Sequence, residues 1–281
     1  MNRILVVEDD EPLRHLLCQV VGIAGFSVAG VGDGRDALEL LRSEPFDLVL
    51  LDVWVPRLSG LEILSTLRSE GAQPKAIVMT ADDTPETVLR AVKEQAYQYV
   101  VKPFSMAALI ELIHKALQTA PAPRPIEVLS ARPNWVELLV PCELDAADRI
   151  QSFLTRLDAD LPTEVRDAVG QAFRELLVNA IEWGGELDPN RRVRIAYLRG
   201  RHMILYRIAD PGKGFQFDGM KHAAIAYPSD QPSAHMKERE KAGLRPGGFG
   251  ILVAKAMVDE LIYNEAQNEV VFIKYTEPPK G

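Results

Sequence analysis

Glu8, Asp9 and Asp10 form an acidic cluster directly after the apolar run at residues 4–7, and Asp52 closes another apolar run at residues 48–51. Carboxylates gathered near one point repel each other, and their pKa values rise unless something positive joins them. A hard divalent cation with oxygen ligands answers that repulsion, and Mg2+ is the abundant one. Lys102 adds a fixed positive charge and Thr80 a hydroxyl. Such a set can hold a phosphoryl group on one carboxylate while metal and lysine neutralise its oxygens. Asp10 has a plainer role, because a capping residue ahead of a first-turn proline, here Pro12, starts a helix.

A second chemistry lies far downstream. Glu175 and Asn179 are one helical turn apart and share a face, while Leu176 and Ala180 point towards a core. A carboxylate that orients or deprotonates a nucleophile and an amide that coordinates metal suit one Mg2+–phosphate assembly. Asp210 ends an apolar run and opens a turn that contains Gly212 and Gly214. A buried carboxylate there can accept a hydrogen bond from an exocyclic amine such as that of adenine. Gly248 and Gly250 open a further helix, where free N–H groups and the helix dipole favour phosphate. Each fragment alone is common; their order is the informative part.

The elements that position these groups are legible from periodicity. Apolar runs at 4–7, 27–31, 48–51, 76–79 and 99–101 alternate with amphipathic helical patterns, such as Leu13, Leu16, Leu17, Val20 and Val21. Continuous apolar runs fit parallel strands covered on both faces. Five βα units predict right-handed crossovers and a doubly wound parallel sheet, with a site beyond the carboxyl ends of the strands. Glu8 and Asp9 follow the first strand, Asp52 the third, Thr80 the fourth and Lys102 the fifth. The strands were placed on apolar residues alone, so this convergence is independent evidence for a site.

The domains expected are residues 1–120, a proline-bearing semi-rigid linker at 121–134, and residues 135–278. The last region reads as α+β with a mostly antiparallel sheet. It has a strand at 135–140, a helix around Ile150, Phe153 and Leu154, and a longer helix from Pro162 to about Trp183. An antiparallel pair at 193–198 and 203–209 follows. Residues 215–246 are polar and read as a lid, before a helix at 250–258 and a strand at 270–275.

Composition bounds the function. The 281 residues are 47% hydrophobic and 26% charged, as in globular proteins of two ordinary domains. A net charge of −8 and a pI near 5.3 argue against nonspecific nucleic-acid binding. Apolar runs fall short of the roughly 20 residues that cross a bilayer, and the chain enters its first strand without a signal-peptide core. The expectation is a cytoplasmic protein without membrane or nucleic-acid partners. Cys18 and Cys142 read as reduced, buried thiols.

Residues 1–118 resemble the receiver domain of bacterial response regulators. The resemblance rests on Ile-Leu-Val-Val-Glu8-Asp9, Leu-Leu-Asp52-Val-Trp-Val-Pro56 with Gly60, Met-Thr80-Ala81 and Tyr99-Val-Val-Lys102-Pro103-Phe104. It implies that Asp52 is the phosphoacceptor and that Mg2+ is held by Asp9, Asp52, the Trp54 backbone carbonyl and, through water, Glu8. Thr80 and Lys102 would contact the phosphoryl group, and Tyr99 would change rotamer with Thr80. The implied donor is a cognate sensor histidine kinase.

Residues 135–278 resemble the ATP-binding domain shared by histidine kinases, gyrase and heat-shock chaperones, a two-layer Bergerat-type α/β sandwich. The closer likeness is to anti-sigma-factor serine kinases, through Glu175-Leu-Leu-Val-Asn179-Ala-Ile, Asp210-Pro-Gly-Lys-Gly214 and Gly247-Gly-Phe-Gly250. This implies ATP and Mg2+ as cofactors, Glu175 as general base, Asn179 as Mg2+ ligand and Asp210 as adenine reader. Gly212 and Gly214 would shape the adenine pocket, and Gly248 and Gly250 would bind phosphate. Trp183 departs from the pattern, standing where relatives often carry His. Aromatic burial favours packing for its ring over a place beside the nucleotide.

The function expected is a two-component regulator whose Asp52 controls a serine/threonine protein kinase of the partner-switching type. Its substrate or effector would be an anti-sigma antagonist-like or sigma factor-like protein, and a homodimer also fits the linker. Two other readings fit the same residues: a histidine kinase-like phosphodonor acting on a His of another protein, or a non-catalytic ATP-bound sequestering module. A phosphoaccepting His in the chain itself would need a helical hairpin for which there is no room.

Overall fold

The computed structural model describes residues 1–82, 84–119, 124–132, 134–214 and 249–276, and its chain divides into units Met1–Pro125 and Ile126–Gly281. In the first unit, strands β1 (Arg3–Val7), β2 (Ser27–Val31), β3 (Leu48–Asp52), β4 (Ala76–Thr80) and β5 (Gln98–Val101) alternate with helices. These are α1 (Glu11–Ile23), α2 (Gly34–Ser43), α3 (Gly60–Ser69), α4 (Pro85–Lys93) and α5 (Met106–Gln118). The sheet is wholly parallel in the order β2-β1-β3-β4-β5. That order reverses direction between β1 and β3, a switch point at which strand ends diverge and leave a crevice. β3 and β4 are buried along their whole length, as their uninterrupted apolar sequences require.

Helix starts follow local chemistry. Asp10 caps α1 by accepting from the Leu13 N–H at 2.8 Å, the role its position ahead of Pro12 predicts. Ser59 and Glu62 form a reciprocal capping box on α3. The end of α5 is held differently. The buried Lys75 ammonium donates to the carbonyl of Ala116 at 2.6 Å and to the Thr119 hydroxyl and carbonyl at 2.8 and 3.2 Å. A cation at a helix C-terminus meets both orphan carbonyls and the negative end of the dipole.

The second unit is an antiparallel sheet in the order β10-β11-β9-β8-β7-β6. Its strands are β6 (Glu127–Arg132), β7 (Trp135–Pro141), β8 (Arg192–Arg199), β9 (Met203–Ala209), β10 (Glu260–Tyr263) and β11 (Glu269–Tyr275). Helices α6 (Leu144–Leu157), α7 (Thr163–Asn179) and α8 (Gly250–Met257) complete it. Alternate residues Val136, Leu138, Val140, Ile195, Ile208 and Phe272 are buried, giving the two-layer sandwich a single core. Phe173 of α7 meets Tyr206, which lies between Tyr197 and Phe272 with ring centroids about 5 Å apart.

Asp158, at the C-cap of α6, is buried in this core. The Tyr197 hydroxyl donates to it at 2.7 Å, Tyr206 lies at 3.5 Å, and Arg199 at 3.6 Å. Burial pushes its carboxyl up to about 6, against the opposing pull of Tyr197 and Arg199.

One expectation is corrected. The segment 121–134, expected as linker, contributes strand β6, which pairs with β7 through a register shift between Val128 and Ser130. The prolines flank this run rather than interrupt it, so its N–H groups remain free to pair. β10, only four residues long, went unread. The helix to Trp183 changes character on the way: α7 passes into a π turn at Ala180–Gly184. Trp183 itself is 46% exposed. The expected lid falls outside the described residues, as does Gly248. Both cysteines are free thiols, Cys142 buried and Cys18 partly so. Among the described residues no helix is long and apolar enough to cross a membrane.

Candidate functional site

In the first unit the parallel register delivers Glu8, Asp9, Asp52, Thr80 and Lys102 to one edge. Glu8 and Asp52 are buried, and Lys102 spans them, with Nζ 2.7 Å from both Glu8 oxygens and 2.6 Å from Asp52 Oδ2. Burial raises the Glu8 carboxyl, Lys102 opposes that rise, and the Asp52 charge adds to it. Burial alone would lower the Lys102 ammonium, but its hydrogen bonds to Asp52 and Glu8 outweigh this and raise it.

One oxygen each from Glu8, Asp9 and Asp52 lie within 4.8 Å of one another. Adjacent oxygens of an octahedral Mg2+ sphere lie about 3 Å apart, so these hard oxygen donors suit the ion once the side chains draw in or a water bridges one of them. The Trp54 N–H donates to Asp52 Oδ1 at 3.0 Å, leaving Oδ2 on the lysine side, while the indole is 61% exposed. Thr80 is fully buried, and its hydroxyl accepts from the Asp82 N–H at 3.1 Å. Tyr99 is 2% exposed and its hydroxyl donates to the Asp82 carbonyl, so Thr80 and Tyr99 hold the same residue from two sides.

In the second unit α7, its π turn, the end of β9 and the start of α8 converge. A Cβ on Gly250 would lie 2.7 Å from Glu175 Oε2 and 3.2 Å from Asn179 Nδ2, so a larger residue here would push the Glu175 carboxylate aside. Glu175 and Asn179 have no side-chain hydrogen bond or ion pair among the described residues, which leaves their donors and acceptors available to a ligand. At the far end of the π turn, a Cβ on Gly184 would fall 2.2 Å from the Asp210 carboxylate. One continuous helical segment thus reaches from the Glu175–Asn179 pair to Asp210. π turns of this kind recur at functional sites.

Asp210 is fixed by the Gly212 N–H at 2.8 Å, and burial raises its carboxyl against the lowering effects of Gly212 and Arg191. The Arg191 guanidinium donates to the Pro211 carbonyl at 2.8 Å, and Asn268 Nδ2 donates to that of Gly212 at 3.0 Å. Gly214 has φ +81, a left-handed conformation open to glycine. Tyr263 lies close enough for the Asp210 charge to raise its phenol, together with burial. The sequence reading overlooked Gly184, Arg191 and Tyr263. Only the Gly184-Gly185 pair, one turn beyond Asn179, carried a signal.

The residues match known proteins over both units. A family profile described as response regulator receiver domain covers residues 4–114, and one described as histidine kinase-like ATPase domain covers residues 140–274. The DNA-binding response regulator MtrA of Mycolicibacterium smegmatis is 34% identical over 184 residues, 65% of this chain and 78% of MtrA. The chain is a response regulator with a histidine kinase-like ATPase domain. Response regulator MprA of Mycolicibacterium vanbaalenii is 39% identical over 116 residues, 41% of this chain and 50% of MprA. Regulatory protein AtoC of Escherichia coli is 32% identical over 143 residues, and this response regulator spans 31% of AtoC's length.

Proposed function

We propose that Asp52 accepts a phosphoryl group from a sensor histidine kinase and thereby controls an ATP-dependent serine/threonine protein kinase in the C-terminal domain. In the first step an Asp52 carboxylate oxygen bonds to phosphorus. The bond from phosphorus to the donor atom breaks, and its electron pair leaves with the donor. Lys102, placed between Glu8 and Asp52, moves its positive charge onto the new phosphoryl oxygens. The Thr80 hydroxyl donates to another of them. Mg2+, when held by Asp9, Asp52 and the Trp54 carbonyl, supplies further charge neutralisation.

In the second unit Glu175 takes the proton of a substrate hydroxyl as its oxygen bonds to the γ-phosphorus of ATP, and ADP leaves with the electron pair of the broken bond. Asn179 supplies a metal ligand, Asp210 accepts from the adenine amine, and the Gly250 turn lies against the phosphates. The observation that carries this reading is the placing of Glu175 and Asn179, neither with a side-chain hydrogen bond among the described residues, directly against the glycine start of α8.

Labelled ATP separates the outcomes. Phosphoserine and phosphothreonine on a protein substrate survive acid, and that result is expected. Acid-labile label would make the domain a histidine phosphodonor, and ATP binding without any transfer would make it a sequestering module. Glu175→Ala should retain ATP and lose turnover by at least about a hundredfold. Equal turnover in that variant would remove Glu175 from the base role. On the receiver, acetyl phosphate should label the wild type and not Asp52→Asn.

A further inference from the structure

The geometry points to Arg14 as a positioning residue for the metal site, acting on the main chain that carries Glu8 and Asp9; this rests on the Mg2+-dependent receiver chemistry proposed above. Arg14 lies one turn into α1, and its Nη1 donates to the Glu8 carbonyl at 2.7 Å and to the Asp9 carbonyl at 3.2 Å. It forms no ion pair among the described residues; the contacts of this guanidinium are with main-chain oxygens. The Glu8 N–H is held in turn by the Val31 carbonyl at 3.1 Å. Both main-chain polar groups of Glu8 are therefore held, the N–H by β2 and the carbonyl by α1.

The neighbouring strand makes room for this contact. A Cβ on Gly32 would sit 2.7 Å from Arg14 Nη1, so the guanidinium occupies space that any other residue at 32 would take. Two consecutive carbonyls turned towards Arg14 fix the orientation of the two peptides from which the acidic side chains project. Charge-assisted bonds of this kind are stronger than neutral ones. The arrangement also places a positive charge behind a cluster that already holds three carboxylates. Loss of Arg14 therefore removes orientation while making the local potential more negative. The two effects oppose each other on metal affinity, and the pair of charge-assisted bonds from Nη1 makes orientation the larger.

Direct binding of Mn2+ to the full chain, read from loss of the free-ion EPR signal, tests this without phosphorylation. Arg14→Ala should weaken Mn2+ by about tenfold, whereas Arg14→Lys, which keeps the charge but reaches one carbonyl, should recover only part. With acetyl phosphate, the concentration of Mg2+ for half-maximal labelling should rise similarly, and labelling at saturating Mg2+ should stay within about twofold of wild type. Unchanged or tighter binding in Arg14→Ala, or full recovery in Arg14→Lys, would overturn the positioning role. Asp9→Asn is the control: if it binds Mn2+ as the wild type does, the metal-site reading fails, and the role of Arg14 fails with it.

Discussion

In the N-terminal unit Lys102 already spans Glu8 and Asp52, whereas in the C-terminal unit Glu175 and Asn179 meet the start of α8 with no counter-charge among the described residues. The receiver site already holds part of its countercharge before any phosphate arrives, one lysine against three carboxylates. In the proposed phosphorylation its lysine would exchange carboxylate partners for phosphoryl oxygens, redistributing bonds that exist. In the ATPase site Asp210 is held by the Gly212 N–H, while Glu175 and Asn179 make no side-chain hydrogen bond among the described residues and are open to a ligand. A switch needs two arrangements of nearly balanced stability, which a prebuilt network supplies. An ATP site needs affinity for something absent, which unengaged groups supply.

The sharpest way to break this contrast is Lys102→Ala. It strands two buried carboxylates, so the receiver unit should lose about 4 kcal/mol in denaturant unfolding, with part recovered by Mg2+. An unchanged midpoint would show that the network contributes nothing before phosphorylation. Next comes Asp158 in the ATPase core. Its folded-state pKa of about 6 lies above an ordinary value near 3.9. A raised pKa contributes stability that is present below pH ~4 and lost as pH rises through ~6, up to about 3 kcal/mol. The groups facing it are Tyr197, Tyr206 and Arg199, with Asp160 nearby. Asp158→Asn should flatten the dependence of this unit's unfolding on pH between 4 and 7. A slope equal to that of wild type would assign it to another group.

Gly184→Ala should displace Asp210 and weaken ATP binding at least tenfold, about 1.4 kcal/mol, while far-UV circular dichroism stays unchanged. Undiminished binding would detach Asp210 from nucleotide recognition. The smallest effect is expected for Glu175→Ala measured as stability rather than turnover. With no counter-charge to strand, the ATPase unit should move by less than about 0.5 kcal/mol. A loss comparable to that of Lys102→Ala would mean that the two sites are built alike.

Legibility followed the same divide. β2 spans residues 27–31 as its apolar run predicts, and the other receiver strands differ by a residue at one end. β3 and β4 are buried on both faces, so hydrophobicity alone marks them, while β2 at the sheet edge keeps an apolar run although its residues are partly exposed. Because the reactive groups sit at strand ends, reading the strands also placed Glu8, Asp52, Thr80 and Lys102. The ATPase unit gave less. β6 is an edge strand with alternating exposure beside prolines, and β10 is too short for periodicity to register. The closeness of Gly184 to Asp210 joins positions far apart in sequence, and a glycine declares nothing about what approaches it. Glu175 and Asn179 were read from helical spacing, but their contact with Gly250 depends on how α7 and α8 pack.

Lys75 gives the receiver a mechanical property. It immediately precedes β4, the strand that ends at Thr80, and its ammonium grips three oxygens at the last turn of α5. A load applied to the chain at Thr119 is therefore borne by the opposite end of the strand that touches the phosphoryl site. Unwinding that turn would draw a buried cation off its oxygens, at about 1.5–3 kcal/mol for each charged hydrogen bond lost. The end of α5 behaves as a riveted joint rather than a fraying end, so displacement of β4 is transmitted there as movement of a rigid part.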